Sequence, residues 1–297
     1  MSSYIGIESN LGIYYLIDFL IIIAIISAMR PLTGVIGNVS SREELTQRDN
    51  AAFGISIAGA TLGLAVMLMG VVSGEVAINP LYEALIMLGY GGVGIVLMAF
   101  TRKVFDILSM PRISIHDEII KGNVAAALID AGNMIATAII LRAVMIWVDS
   151  NSWFGLVFVL AGFLFSQIIM LVATAYRRYV FKHRQNGAGM QDEIAKGNIA
   201  LALRFAGHRI GIALAVTAAS GIVVFGGEQG FVNLAAWALT ATVMFFVLTV
   251  IAVITRKAVL LRVDVAEEVD KQQNVAIGVI EAAIYISIGF LLAGLFG

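Results

Sequence analysis

Asp117-Glu118-Ile119-Ile120-Lys121-Gly122-Asn123-Val124-Ala125 returns 75 residues later as Asp192-Glu193-Ile194-Ala195-Lys196-Gly197-Asn198-Ile199-Ala200. Each copy runs directly into a long apolar stretch, and the Asn at its end has weaker counterparts on either side. Asn50, Asn123, Asn198 and Asn274 follow one another at intervals of 73, 75 and 76 residues. Each is trailed at +2 by Ala52, Ala125, Ala200 or Ala276, and preceded six residues earlier by Glu44, Asp117, Asp192 or Glu268. A period of this size marks a chain built from one repeated supersecondary unit. The first copy departs most, with Gln47-Arg48-Asp49 before its Asn.

The unit is a membrane hairpin. With 60% hydrophobic and 13% charged residues and a mean hydropathy of +0.95, the chain is far more apolar than soluble domains, in which about a quarter of residues are charged. A membrane-spanning helix needs about 20 apolar residues. Such runs fall near 11–29, 51–73, 80–101, 123–148, 153–175, 198–224, 231–255 and 274–296. The expected fold is all-α and polytopic, with eight transmembrane helices as four two-helix repeats of common orientation. The loops between them are too short for a soluble domain with a core of its own.

Charge sets the orientation. Of the 19 Lys and Arg residues, all but Arg142, Arg204 and Arg209 fall in the segments 30–49, 102–122, 176–197 and 256–273. The alternate loops and the N-terminus carry Glu8, Glu75, Asp149 and Glu228 and no basic residue. The positive-inside rule then puts the four basic loops in the cytoplasm and both termini on the periplasmic or extracellular side. Met1–Asn10 lacks the basic region of a cleavable signal, so the first span is expected to persist. A net charge of −1 gives no reason to expect nucleic acid. The absence of cysteine excludes disulfides and thiolate chemistry.

At 100° per residue, positions +2, +9 and +13 from each Asn share one helix face, and all are small. The stripes are Ala52/Gly59/Gly63, Ala125/Gly132/Ala136, Ala200/Gly207/Gly211 and Ala276/Ala283/Ser287. Small-residue stripes let membrane helices pack closely, so they read as helix interfaces; those of the first and last repeats would permit a homo-oligomer. The opposite face carries Asp130, Arg209 and Glu281.

A coarser symmetry divides the chain into two four-helix domains, 1–150 and 151–297. Asp130 and Glu281 occupy the same +7 position in the second and fourth repeats, and Thr-Arg-Lys closes both the third span (Thr101–Lys103) and the seventh (Thr255–Lys257).

An intramembrane charge costs about 2.5–3.5 kcal/mol, so these groups must be paired, hydrated or neutralised. Rises of 1.5 Å per residue put Asp130 and Arg204 about 9–11 Å deep, His208 and Arg209 about 15–17 Å deep and Asp18 about 18 Å deep. One polar layer is expected, made of Asp18, Asp130, Asn133, Arg204, His208, Arg209 and Glu281. Glu83 and Arg142 would form a second pair near the outer surface. The layer reads either as a salt-bridge network or as the lining of a hydrated cation pathway.

Gly89-Tyr90-Gly91-Gly92-Val93-Gly94 fits a dinucleotide fingerprint but lies inside an apolar span, so it reads as a packing face. No metal-ligand spacing, phosphate loop or nucleophile elbow is present, and no catalytic residue or cofactor is expected.

The Asp-Glu-Ile-x-Lys-Gly-Asn-x-Ala segments with their small-residue helices resemble the YjfL-like family of bacterial inner-membrane proteins, domain of unknown function 350, in two fused copies. The resemblance implies a bacterial inner-membrane location and an association with ATP-grasp ligase-like proteins and with envelope or polyamine functions. It brings no catalytic residues. The expected function is a membrane scaffold or partner-binding subunit, in contact with the lipid bilayer, whose basic cytoplasmic loops dock a soluble protein or anionic lipid heads. The rival is a channel or transporter for protons or a small cation through Asp130 and Glu281.

Overall fold

The second long helix of each repeat begins at its Asn for a local reason. The side-chain oxygens of Asn50, Asn123, Asn198 and Asn274 accept the backbone N–H of Phe53, Ala126, Leu201 and Ile277, satisfying donors that a helix start leaves free. The residue before each Asn is left-handed, with φ of 46° at Asp49, 87° at Gly122, 88° at Gly197 and 55° at Gln273. That turn ends a short preceding segment and reverses the chain into the cap. The first repeat keeps it with an Asp where the middle copies have Gly.

The structure, a computed structural model, describes residues 11–37, 39–74, 79–148, 153–185, 187, 189–226 and 229–297, without the side chains of 11 and 29–37. The outer-loop acids Glu8, Glu75, Asp149 and Glu228 and the side chain of Arg30 lie outside this description. The helices are α1 (Leu11–Gly37), α2 (Ser41–Thr46), α3 (Ala51–Val72), α4 (Pro80–Val104), α5 (Ile115–Ile120), α6 (Val124–Val148), α7 (Gly155–Arg184), α8 (Met190–Ala195), α9 (Ile199–Ile222), α10 (Gly230–Val259) and α11 (Val275–Phe296). Phe105–Ser109 and Glu267–Lys271 are π-helical turns. No strand occurs among the described residues. Seven helices are long and apolar enough to cross a membrane, and α1 adds a shorter apolar run, Gly12–Ala28. The chain is a polytopic all-α membrane protein.

The second helices of the repeats, α3, α6, α9 and α11, pack side by side as a spine. Close approach depends on glycine at the same register each time. A methyl group on Gly59 would overlap Ala131, one on Gly132 would overlap Ala206, and one on Gly207 would overlap Ala282. In repeat numbering, +9 of one unit nests against +8 of the next. Lipid tails supply no hydrophobic drive between helices, so backbone proximity and dispersion carry this association. Gly91 and Gly94 of α4 likewise face Leu68 and Met67, a packing role for the glycine-rich run. The core continues across the middle of the chain, with Ala138, Val144, Phe163, Ala213 and Trp237 in one cluster.

The linkers build a second cluster at the basic end. Phe53, Phe105, Ile119, Ile194, Phe205 and Val269 are among its buried members, so the short segments plug apolar faces between helix ends. The Asn side chains join these segments in series. The amide of Asn50 donates to Ile119 O at 3.0 Å, that of Asn123 to Ile194 O at 2.9 Å, and that of Asn198 to Val269 O at 3.2 Å. The second helices of all four repeats therefore start at one end of the bundle.

Candidate functional site

The ion pairs begin with helix length. The sequence reading ended the third, fifth and seventh spans near 101, 175 and 255, but the helices run on to Val104, Arg184 and Val259. Arg102, Arg177 and Arg256 thus sit on helix, not in loops, and Arg102 and Arg256, in the last turns of α4 and α10, suit the negative end of the helix dipole. Their long stems carry the guanidinium back into the bundle.

Arg102 meets Asp130, which is 1% exposed on α6. Arg102 Nε donates to Asp130 Oδ1 at 2.9 Å, a second guanidinium nitrogen pairs with Asp130 Oδ2, and Ser56 Oγ donates to the same oxygen at 2.6 Å. This knot ties α3, α4 and α6. Its counterpart joins α9, α10 and α11. Glu281 accepts from Arg256 Nη1 at 3.3 Å and Arg204 Nη1 at 3.5 Å, while Arg204 also pairs with Asp270 of the last π turn. Both knots use position +6 of one unit (Ser56, Arg204), position +7 of the next (Asp130, Glu281) and the Arg of a Thr-Arg-Lys. Where Arg204 replaces Ser56, the added charge is matched by Asp270. Burial pushes the Asp270 carboxyl above the ordinary carboxylate value, and Arg204 beside it opposes that rise.

The expected single layer is thus distributed. The structure brings Arg204 and Glu281 together and gives Asp130 partners from α3 and α4. Arg209 Nη1 donates to Thr174 Oγ1 at 3.0 Å and its guanidinium lies 4.8 Å from the Phe105 ring centre, a cation–π contact. His208 is buried with its ring edge-on to Tyr285 at 4.8 Å. Asn133 is fully buried, and neither polar atom of its side chain has a hydrogen-bond partner among the described residues. Asp18 is buried within electrostatic reach of Glu83. Glu83 lies in the first turn of α4, and Arg142 far along α6 beside Gly70.

Arg102, Arg177, Arg256, Asp270 and Ser56 were absent from the expected site. The recurrence of Thr-Arg-Lys at the half-chain period, in step with Asp130 and Glu281, was the signal that pairs the first and third with their acids.

Beside the second knot is a cavity of about 530 Å³ between α7 and α10. Arg177, Arg204, His208, Arg256, Asp270 and Glu281 supply its polar wall, and Val172, Tyr176 and Phe246 part of its apolar one. The Arg177 guanidinium stands 5.1 Å from the Tyr285 ring centre and forms no ion pair among the described residues.

The comparisons agree with a membrane protein of this architecture. A UPF0719 transmembrane protein of Aquifex aeolicus (strain VF5) is 30% identical over 103 residues, which cover 35% of this chain and 38% of the relative. This chain thus aligns with well under two thirds of that protein. No solved structure matches. The Domain of Unknown Function (DUF350) family matches residues 7–145, 80–220 and 153–296, each placement starting 73 residues after the last, as an array of equivalent hairpins requires. By these matches, which together span nearly the whole sequence, the chain belongs to the DUF350 family.

Proposed function

We propose that the protein is a membrane scaffold whose basic end, facing the cytoplasm of a bacterial inner membrane with both termini on the far side, docks a soluble partner. The observation that carries this reading is the series of Asn amides joining each linker to the next, which turns four short segments into one continuous platform. That platform presents a repeated charge pattern. Lys121 pairs with Glu118, Lys196 with Glu193 and Lys271 with Glu267, and all three lysines are more than half exposed. Surface pairs of this kind add little stability, which leaves them free to exchange partners.

The cation-pathway reading has weaker support, because Asp130 and Glu281 are each held by guanidiniums that a passing cation would have to displace. Self-association extends the scaffold reading. On α11 the fourth stripe, Ala276, Ala283 and Ser287, is exposed, and on α3 Ala58 at +8 is exposed too. These are the two sides of the +9 to +8 contact that joins successive repeats, so a second copy could continue the spine.

The test is complementation of a deletion strain's growth phenotype by full-length variants. Lys121→Glu combined with Lys196→Glu is expected to abolish complementation while the protein remains inserted and heat-stable. If that variant complements fully and a folded Asp130→Asn, Glu281→Gln variant does not, the scaffold reading fails.

A further inference from the structure

The cavity between α7 and α10 has a charge balance that the second knot does not exhaust. Arg177, Arg184, Arg204 and Arg256 face it together with Asp270 and Glu281, an excess of two positive charges. Arg204 and Arg256 are engaged by the two carboxylates. Arg177 is fixed against Tyr285 with its N–H donors unspent on any described carboxylate, and Arg184 is exposed at the end of α7. Arg184 and Arg256 also border an adjoining hollow lined by Lys257 and Arg262. A planar guanidinium held in place is suited to bidentate contact with a phosphate or carboxylate.

The same two helices also give the cavity an apolar, exposed lining. Val172, Tyr176 and Phe246 are 59%, 64% and 60% exposed on their membrane helices. A free anion in the cavity would leave this surface without use, whereas an acyl chain would cover it. The volume, about 530 Å³, suits a headgroup and the first methylenes of a chain, with the remainder left in the membrane.

We propose that this cavity binds an anionic phospholipid sideways from the leaflet at the basic end, its phosphodiester on Arg177 and its acyl chain along Val172, Tyr176 and Phe246. The site stands apart from the scaffold reading and survives the failure of that reading.

The shared ligand chemistry is a phosphate anion, and the experiment separates its sources. Full-length protein in non-ionic detergent is titrated with phosphatidylglycerol, phosphatidylcholine or inorganic phosphate and read by native mass spectrometry. Phosphatidylglycerol is expected to bind about tenfold more tightly than phosphatidylcholine, and Arg177→Gln to remove that preference. Val253→Trp, which fills the cavity and keeps every charge, is expected to weaken phosphatidylglycerol binding to the same degree. Lys103→Gln, an exposed basic residue outside the cavity, is expected to change nothing. Equal retention of the two lipids would overturn the proposal, as would a preference that persists in both cavity variants. Competition by inorganic phosphate without a lipid preference would assign the site to a free anion and overturn it as well.

Discussion

Arg102 and Asp130 clasp across α4 and α6, with Nε 2.9 Å from Oδ1, at the place where Arg256 and Glu281 meet in the other half. Both acids are buried, and each draws its counter-charge from the end of a neighbouring helix. Removing one partner leaves a buried charge without compensation, at a cost of about 3–5 kcal/mol. Arg102→Gln and Asp130→Asn are each expected to lower stability by that order in chemical unfolding in detergent micelles. The double variant should be less unstable than the sum of the singles, because each change removes the charge that the other strands. Strict additivity would show that the pair does not interact.

Helix proximity makes the second prediction. A side chain at Gly132 would drive α6 away from Ala206 of α9, at the centre of the spine. Overpacking of this kind costs about 1–3 kcal/mol for small additions. Gly132→Ala is expected to fall in that range and Gly132→Leu to prevent stable folding, whereas Gly92→Ala, with nothing within 4 Å, should be neutral. Midpoints of thermal unfolding for the three variants separate the positions.

Two kinds of information were unequally legible in the sequence. The Asn caps recur in every hairpin and the +9 glycines at every junction between one repeat and the next, because the same local geometry is needed each time. Periodicity alone therefore exposes the repeat and its packing face. The knots were harder to read. Arg102 and Arg256 count as loop charges in any tally of basic residues, since such a tally ignores that a long side chain at a helix end can turn inward. Ser56 and Arg204 hold equivalent places with unlike chemistry, so no motif links them. The cavity belongs to the gap between α7 and α10, and a gap has no residue of its own to carry a pattern.

The left-handed turns before the Asn caps offer a test of local strain. Gly122 has φ of 87° and nothing within 4 Å of where a Cβ would stand, so a side chain there meets only its own backbone. Left-handed conformation costs an L-residue about 1–2 kcal/mol. Gly122→Ala and Gly197→Ala are each expected to lose that amount in unfolding experiments. Gln273→Gly, at φ 55°, should gain up to about 1 kcal/mol, offset by the greater freedom glycine has in the unfolded chain. A loss at Gln273→Gly equal to that at Gly122→Ala would contradict the assigned turn.

Glu118 makes the platform sensitive to acid. Lys121 at 2.6 Å, and the Asn123 amide at 3.0 Å, hold its carboxyl below the ordinary value of 4.5. A carboxyl with a lowered folded value binds its proton more weakly in the native state than in the unfolded one. Its contribution to stability is therefore complete well above pH 4.5 and is lost as pH falls through the lower folded value. Glu118→Gln keeps the hydrogen-bonding shape but has no charge to titrate. Wild type is expected to unfold at a higher temperature than Glu118→Gln at pH 7, and the difference should shrink steadily as pH is taken from above 4.5 to below it. A gap that stays constant across that range would mean the stabilisation comes from shape and not from the ionised carboxylate, and the Lys121 contact would then be incidental.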